Sequence, residues 1–160
     1  MPARPKYYWD TSILLAWIKD EKIPPRQPGE MEGLVEIADE IDSGKSILII
    51  SAITFTELLD STLTEEQKRR LELALKRPST VRANVDMRVG ELAGAIRDFY
   101  RQSDVQIKTP DAIHLATAIL TKADELHTFD DNLLRLNGNV AGHAMRICKP
   151  RGKQTVMKFS

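Results

Sequence analysis

The sequence lacks the features that mark secreted, membrane-bound and strongly basic proteins. Cys148 is the only cysteine among the 160 residues, which excludes an internal disulfide and a cysteine-rich zinc site. The richest N-terminal apolar stretch, residues 7–18, is interrupted by Asp10 and is too short for the roughly 20 apolar residues of a membrane helix. Lys and Arg together number 23, as do Asp and Glu, so bulk positive charge does not hold the protein on nucleic acid. We therefore expect a cytoplasmic protein that is not bound to a membrane.

What the sequence does contain is the composition of one folded domain. Apolar residues make up 42% of the chain and charged residues 29%, proportions typical of globular proteins. A chain of 160 residues fits a single domain and can bury roughly two-thirds of the surface that its unfolded form exposes. We expect one domain over residues 1–150, followed by a basic C-terminal tail at 151–160.

Apolar runs and helical periodicity alternate along the chain. Predicted strands lie at Tyr7–Trp9, Ser46–Ile50, Val81–Val85, Leu126–Phe129 and Ala144–Cys148. Predicted helices lie at Ser12–Lys19, Met31–Ser43, Thr54–Leu59, Thr64–Lys76, Met87–Tyr100 and Thr109–Lys122. Strands separated by helices predict an α/β fold, a three-layer α/β/α sandwich around a mainly parallel sheet of about four to five strands.

Acidic residues stand close to the ends of several predicted strands. Asp10 follows the first strand directly, and Glu57 lies on the short helix after the second. Asp111 lies in the first turn of its helix, and Asp130 and Asp131 follow the strand at 126–129. Because sites in open α/β sheets form outside the carboxyl ends of the strands, we expect these carboxylates to gather at one edge.

Each carboxylate also has a purely structural interpretation. Asp10 is a suitable helix cap, as is either aspartate of the 130–131 pair, and Glu57 fits the fourth position of a capping box. Asp111 lies in the first turn of a helix that Thr109 is expected to cap, where the helix dipole favours an acidic residue. The coincidence of all of them at one edge favours a functional site, because clustered like charges repel unless a cation offsets them. Mg²⁺ or Mn²⁺ is the cation that carboxylate oxygens suit best.

Four acidic motifs resemble those of PIN-domain ribonucleases, in that family's order and across nearly the whole chain. The segment YWDTSIL at 8–14 resembles the opening of the family, in which a strand ends in Asp-Thr-Ser before a helix. The segments TEL at 56–58, TPDAIHLATA at 109–118 and TFD at 128–130 resemble the other three motifs. The closest group is the toxin subunits of VapBC-type toxin–antitoxin pairs. The proline-rich segment Glu21–Gly29 makes the first crossover longer than in compact members.

This resemblance implies a Mg²⁺- or Mn²⁺-dependent endoribonuclease that leaves 5′-phosphate and 3′-hydroxyl ends. Asp10 and Asp111 would be the core metal ligands, and Glu57 and Asp130 would complete the site directly or through water. The Thr-x-Asp pattern selects Asp130 as the fourth ligand and leaves Asp131 as a helix cap. Ser12 resembles a small hydroxyl that orients the first carboxylate or a water, although a plain place in the first helical turn is nearly as good an interpretation.

Partners follow from the same resemblance and from charge. We expect an RNA substrate, a cognate antitoxin protein and a homodimer. No acidic residue follows Asp131, whereas Arg135, Arg146, Lys149, Arg151, Lys153 and Lys158 do. Some of these are expected to contact RNA phosphates, whereas Lys153–Ser160 are expected to form a frayed tail. The dimer is also suggested by an apolar excess on the helices of residues 31–43 and 53–77. That excess comprises Leu58, Leu59, Leu63, Leu71, Leu73 and Leu75.

Other interpretations are weaker or stay open. A phosphatase of the haloacid dehalogenase type needs a second Asp at position 12, where Ser12 stands. His114, three residues after Asp111, is expected to be a packed core residue, and His127 and His143 lack the spacing of zinc ligands. A non-catalytic PIN-fold module that binds RNA or protein remains the alternative, and such a module would not require Mg²⁺ or Mn²⁺.

Overall fold

The computed structural model describes residues 3–58 and 61–159, and within them five strands form one sheet. The strands are β1 (Lys6–Trp9), β2 (Ile47–Ser51), β3 (Thr80–Ala83), β4 (Glu125–His127) and β5 (Ile147–Cys148). Their order across the sheet is β3-β2-β1-β4-β5, so the first strand of the chain is central. Every pairing in this sheet is parallel, which confirms the fold predicted from the alternation of strands and helices.

Helices lie between the strands and after the last of them. They are α1 (Thr11–Lys19), α2 (Glu30–Asp42), α3 (Ile53–Leu58), α4 (Glu65–Lys76), α5 (Met87–Tyr100), α6 (Thr109–Leu120), α7 (Asp131–Leu134) and α8 (Lys153–Phe159). Among the described residues, no helix combines the length and the apolar character needed to cross a bilayer.

Two apolar cores lie on the two faces of the sheet, because successive strand residues point to opposite faces. One core contains Tyr8, Ile49 and Leu126 together with residues of α5 and α6. The other contains Trp9 and Leu48 together with residues of α1 and α2. The central strands supply both cores, which explains why the continuous apolar run of β2 is buried on both faces.

The strand register brings the carboxyl ends of the strands to one level. Trp9 pairs with His127, His127 with Cys148, and Ser51 with Ala83. We call the region formed by the residues that follow β1, β2 and β4 the carboxyl edge. Any side chains that the sequence places directly after these strands therefore meet there.

Two parts of the chain differ from the sequence expectation. The tail is not frayed after residue 152, because Lys153–Phe159 form α8, which packs on α2. Lys108 rather than Thr109 occupies the N-cap of α6, and no side chain caps this helix. Thr109 is the first helical residue because Pro110 fits the first turn, where its missing N–H would have no helical partner.

The leucines that suggest a dimer are mostly used within the chain. Leu58 is buried, and Leu63, Leu71 and Leu75 pack against the core on the α1 and α2 face. Leu73 remains 60% exposed on α4, while Leu59 lies outside the described residues. The homodimer stays a prediction, because fewer of these leucines are exposed than the sequence suggested.

Candidate active site

The structure places the four predicted acidic side chains around the carboxyl edge. Asp10 follows β1 and caps α1, Glu57 lies on α3 after β2, and Asp130 follows β4 and caps α7. Asp111 lies in the first turn of α6. Burial raises the pKa of Asp111, and the negative charges of Asp130, Asp10 and Glu57 raise it further, while His114 opposes the shift. The charges of the other three carboxylates therefore all act on Asp111.

Asp10 is held by contacts on both of its carboxylate oxygens. Oδ1 accepts hydrogen bonds from the Ser12 hydroxyl at 2.6 Å and from the Ile13 N–H at 3.2 Å, and Oδ2 accepts from the Thr128 hydroxyl at 2.5 Å. Burial raises the pKa of Asp10, whereas the hydroxyls of Ser12 and Thr128 stabilise the charged form and oppose that shift. Asp10 is therefore a helix cap and an oriented, buried carboxylate at the same time.

Ser12 and Thr128 connect Asp10 to the loop after β4. The Ser12 hydroxyl donates to Asp10 and accepts from the Phe129 N–H at 3.4 Å. The Thr128 hydroxyl donates to Asp10 and accepts from the Asp130 N–H at 3.0 Å. Ser12 therefore lies where it orients the first carboxylate. The sequence analysis gave no role to Thr128, although its position in the Thr-x-Asp motif was the available signal.

Glu57 is anchored to a buried histidine rather than to the backbone of α3. Its Oε1 lies 2.6 Å from His114 Nε2 and accepts a hydrogen bond of 2.7 Å from the Thr11 hydroxyl. The hydrogen bond with His114 is the largest cause that lowers the pKa of Glu57, and Thr11 adds to it against the opposing effect of burial. The capping-box interpretation of Glu57 is therefore wrong. The carboxylate has stronger partners on α1 and α6.

His114 continues this contact into the protein core. Its Nδ1 lies 2.5 Å from the Tyr8 hydroxyl, and its side chain is 2% exposed. Burial raises the pKa of Tyr8 well above its ordinary value, so the phenol keeps its proton and can donate it to Nδ1. Both ring nitrogens of His114 therefore have a polar partner, Tyr8 at Nδ1 and Glu57 at Nε2. His114 is buried as expected, and it also positions a predicted ligand; its place one turn after Asp111 was the signal for this.

The structure distinguishes the two adjacent aspartates after β4. Asp130 is half-buried, caps α7 through a 2.9 Å hydrogen bond from the Asn132 N–H to its Oδ1, and is the charge that most raises the pKa of Asp111. Asp131 is exposed and is the first residue of α7. The expectation that Asp131 caps this helix is wrong, because the chain becomes helical one residue earlier. Asp130 fills the cap and faces Asp111.

The four carboxylates are suitable ligands for a hard divalent cation. Carboxylate oxygens are the ligands that Mg²⁺ and Mn²⁺ favour, and each oxygen that accepts one hydrogen bond retains a further lone pair. The raised pKa of Asp10 and of Asp111 indicates negative charge that the surrounding protein leaves incompletely balanced. A divalent cation between them would provide that balance.

A second polar group, which contains none of these four carboxylates, lies on β4 and β5. Glu125, His127 and Cys148 bring possible ligand atoms within 4.8 Å of one another. Glu125 lies 2.9 Å from His127 Nε2 and 3.3 Å from Arg146 Nε. Burial, followed by the charge of Glu125, raises the pKa of Cys148 to about 11, so the thiol is protonated at neutral pH. We interpret this group as an ion-pair network that ties β4 to β5.

Comparisons with known proteins agree with this architecture. The sequence model of the PIN domain matches residues 7–139, a range that includes all four carboxylates. The chain belongs to the PIN-domain family. This PIN domain finds no match among the curated proteins.

Solved structures share the fold of this PIN domain at low sequence identity. VapBC2 from Rickettsia felis, bound to a DNA fragment from its promoter, matches with a TM-score of 0.65 and 17% identity, over 89% of this chain and 98% of that chain. FitAcB from Neisseria gonorrhoeae matches with a TM-score of 0.57 and 20% identity, over 90% and 97%. A toxin–antitoxin complex from Klebsiella pneumoniae matches with a TM-score of 0.53 and 23% identity, over 87% and 99%.

Proposed function

We propose that this PIN domain is a Mg²⁺- or Mn²⁺-dependent endoribonuclease and the toxin of a toxin–antitoxin pair. The observation that carries the proposal is that Asp10, Glu57, Asp111 and Asp130 lie around the carboxyl edge, where the charges of the other three raise the pKa of Asp111. Membership of the PIN-domain family supports the nuclease class. The substrate is RNA, and hydrolysis leaves 5′-phosphate and 3′-hydroxyl ends.

The four carboxylates are the proposed ligands of a divalent cation. Asp10 and Asp111 are the core ligands, and Glu57 and Asp130 complete the site directly or through water. When bound, the cation supplies an activated water for in-line attack on phosphorus and stabilises charge on the leaving oxygen.

Neighbouring side chains keep these carboxylates in place before substrate arrives. The hydroxyls of Ser12 and Thr128 fix the two oxygens of Asp10, so the carboxylate cannot rotate freely. Thr11 and His114 fix one oxygen of Glu57 in the same way. Such preorganisation avoids reorganising the site during the reaction.

An antitoxin is the proposed protein partner. The similar structure from Klebsiella pneumoniae is a toxin–antitoxin complex, which supports this partner class. An antitoxin that places an arginine among the carboxylates would pair with them bidentately and exclude the metal. We propose that such a complex is inactive in the cytoplasm until the antitoxin is removed.

Cleavage of single-stranded RNA tests the proposal against a binding module. Purified protein should cleave RNA when Mn²⁺ or Mg²⁺ is added, stop when EDTA is present in excess, and recover when metal is restored. RNA binding without cleavage at any metal concentration would contradict the nuclease and support the non-catalytic alternative.

A further inference from the structure

The proline-rich segment 21–29 contacts the loop after β4, which carries Thr128 and Asp130. Within it, the guanidinium of Arg26 lies over the ring of Phe129, 4.2 Å from the ring centroid. Phe129 stands between Thr128, whose hydroxyl holds Asp10, and the carboxylate residue Asp130. Arg26 therefore brings a positive charge against the loop that carries Thr128 and Asp130, from a part of the chain that is remote in sequence.

Among the described residues, the guanidinium of Arg26 has two carboxylates as distant ion-pair neighbours, and its Nε makes no hydrogen bond. Its side chain is 19% exposed, and its buried Nε has no hydrogen-bond partner among the described residues. Glu21 lies 3.6 Å from Nε and Glu30 lies 3.8 Å from Nη1, distances beyond those of hydrogen bonds.

Glu30 is committed to closer partners. It accepts a hydrogen bond of 2.7 Å from the Gln27 N–H, and its other oxygen lies 2.7 Å from Lys149 Nζ. These contacts help to lower the pKa of Glu30 against the effect of its burial. Glu30 therefore balances Lys149 more directly than it balances Arg26, and the guanidinium of Arg26 has donors to spare.

A phosphate group offers the hydrogen-bond acceptors that this guanidinium can use. The planar fork of arginine binds phosphate oxygens bidentately, and a guanidinium stacked on an aromatic ring has its plane fixed while its N–H edge stays free. An RNA strand that approaches four carboxylates also needs a cation near the point of contact, because its own phosphates are negative.

We propose that Arg26, supported by the Phe129 ring, forms a subsite for an RNA backbone phosphate next to the cleaved bond. This inference rests on the proposed ribonuclease function and assigns its substrate contact to the proline-rich crossover. The competing interpretation is that Arg26 only ties segment 21–29 to the sheet, in which case its loss changes stability and not RNA binding.

Steady-state cleavage of a single-stranded RNA with Mn²⁺ tests the subsite. Arg26→Gln should raise KM by about tenfold or more, the loss expected for a charge-assisted hydrogen bond, and should change kcat much less. Arg26→Lys keeps the charge without the fork and should show a smaller rise in KM. Lys22→Gln is the matched control, since it removes one exposed charge from the same segment and should leave KM unchanged.

RNA binding in the absence of cleavage separates this inference from the function on which it rests. In protein carrying Asp10→Asn, the slope of log Kd against log salt should fall by about 0.7 when Arg26→Gln is added, the value for one phosphate contact on a single strand. Lys22→Gln should not change it. An unchanged slope and an unchanged KM in the Arg26 variants, with or without a shift in Tm, would overturn the subsite. Failure of the wild-type protein to cleave RNA would instead overturn the nuclease, and the slope would still report on Arg26.

Discussion

Asp10 shows how one side chain serves both the fold and the site. As the N-cap of α1 it needs only one oxygen, which accepts the Ile13 N–H. The second oxygen accepts the Thr128 hydroxyl and thereby links β1 to the loop after β4. The structural and functional interpretations of this residue are therefore not alternatives, since the cap also orients the carboxylate.

The pair of His114 and Tyr8 makes a prediction about stability. His114→Leu removes a close hydrogen-bond partner from the fully buried Tyr8 hydroxyl and from Glu57. We expect the free energy of unfolding to fall by about 2–3 kcal/mol in urea titrations. His143→Leu, at an exposed position, should change it by less than about 0.5 kcal/mol. Equal effects of the two substitutions on the free energy of unfolding would refute the stabilising contact of His114 with Tyr8 and Glu57.

Asp111 and Glu57 should have opposite effects on the pH dependence of stability. The pKa of Asp111 is raised in the folded state, so ionisation of its carboxyl destabilises the fold as pH rises above the unfolded value of about 3.9. Metal-free Asp111→Asn should therefore melt a few degrees above wild type near neutral pH, with the difference vanishing near pH 3.

The pKa of Glu57 is lowered, so its charged form stabilises the fold above the unfolded value, and that stability is lost as pH falls through the folded pKa. Glu57→Gln should therefore melt below wild type near neutral pH. Thermal melts of both variants and wild type between about pH 3 and pH 7 measure these differences in melting temperature. A change of melting temperature in the same direction for both variants at neutral pH would contradict the electrostatic account.

At the scale of elements, two similar segments show why local patterns are not sufficient. Thr54 to Glu57 and Thr64 to Gln67 both match the capping-box pattern, which offered a structural interpretation of Glu57. The structure forms the box at the second, where the Thr64 hydroxyl accepts the Gln67 N–H and the Gln67 side chain accepts the Thr64 N–H. Glu57 takes long-range partners instead, and no local pattern encodes those.

This capping box gives a prediction for α4. Thr64→Ala removes the hydroxyl that accepts the Gln67 N–H and should lower the free energy of unfolding by about 1 kcal/mol. RNA cleavage should stay at the wild-type level, because α4 contributes none of the proposed ligands. Chemical denaturation and the cleavage assay measure the two quantities, and a loss of activity without a loss of stability would contradict the assignment.

Sequence reasoning predicted most helices and strands within a few residues and missed those without a strong pattern. The strand β2 could be predicted because burial on both faces requires a continuous apolar run. The helix α5 could be predicted because burial of one face requires apolar residues at helical spacing. The sequence of α8 shows little of either pattern, and this helix packs against α2. The contact of Arg26 with Phe129 joins residues about 100 positions apart, which no single-sequence pattern reports.

At the scale of the whole molecule, the proposed homodimer gives a simple prediction. Leu73 and Met87 remain 60% and 76% exposed, although most of the other leucines on α3 and α4 are used within the chain. If the remaining apolar surface is an interface, light scattering should give twice the monomer mass across the micromolar range. A monomer mass throughout that range would contradict the dimer and leave the active site unaffected.

The most direct test of the central claim compares Asp10→Asn with Asp131→Asn. Asparagine caps a helix about as well as aspartate, so Asp10→Asn should fold, whereas the lost charge should abolish Mn²⁺-dependent RNA cleavage and weaken Mn²⁺ binding. Asp131→Asn removes the same charge from an exposed position beside the site and should cleave like wild type. Cleavage is measured on single-stranded RNA with Mn²⁺, with EDTA as the blank. Wild-type cleavage by Asp10→Asn would contradict the assignment of this edge as a metal-dependent nuclease site.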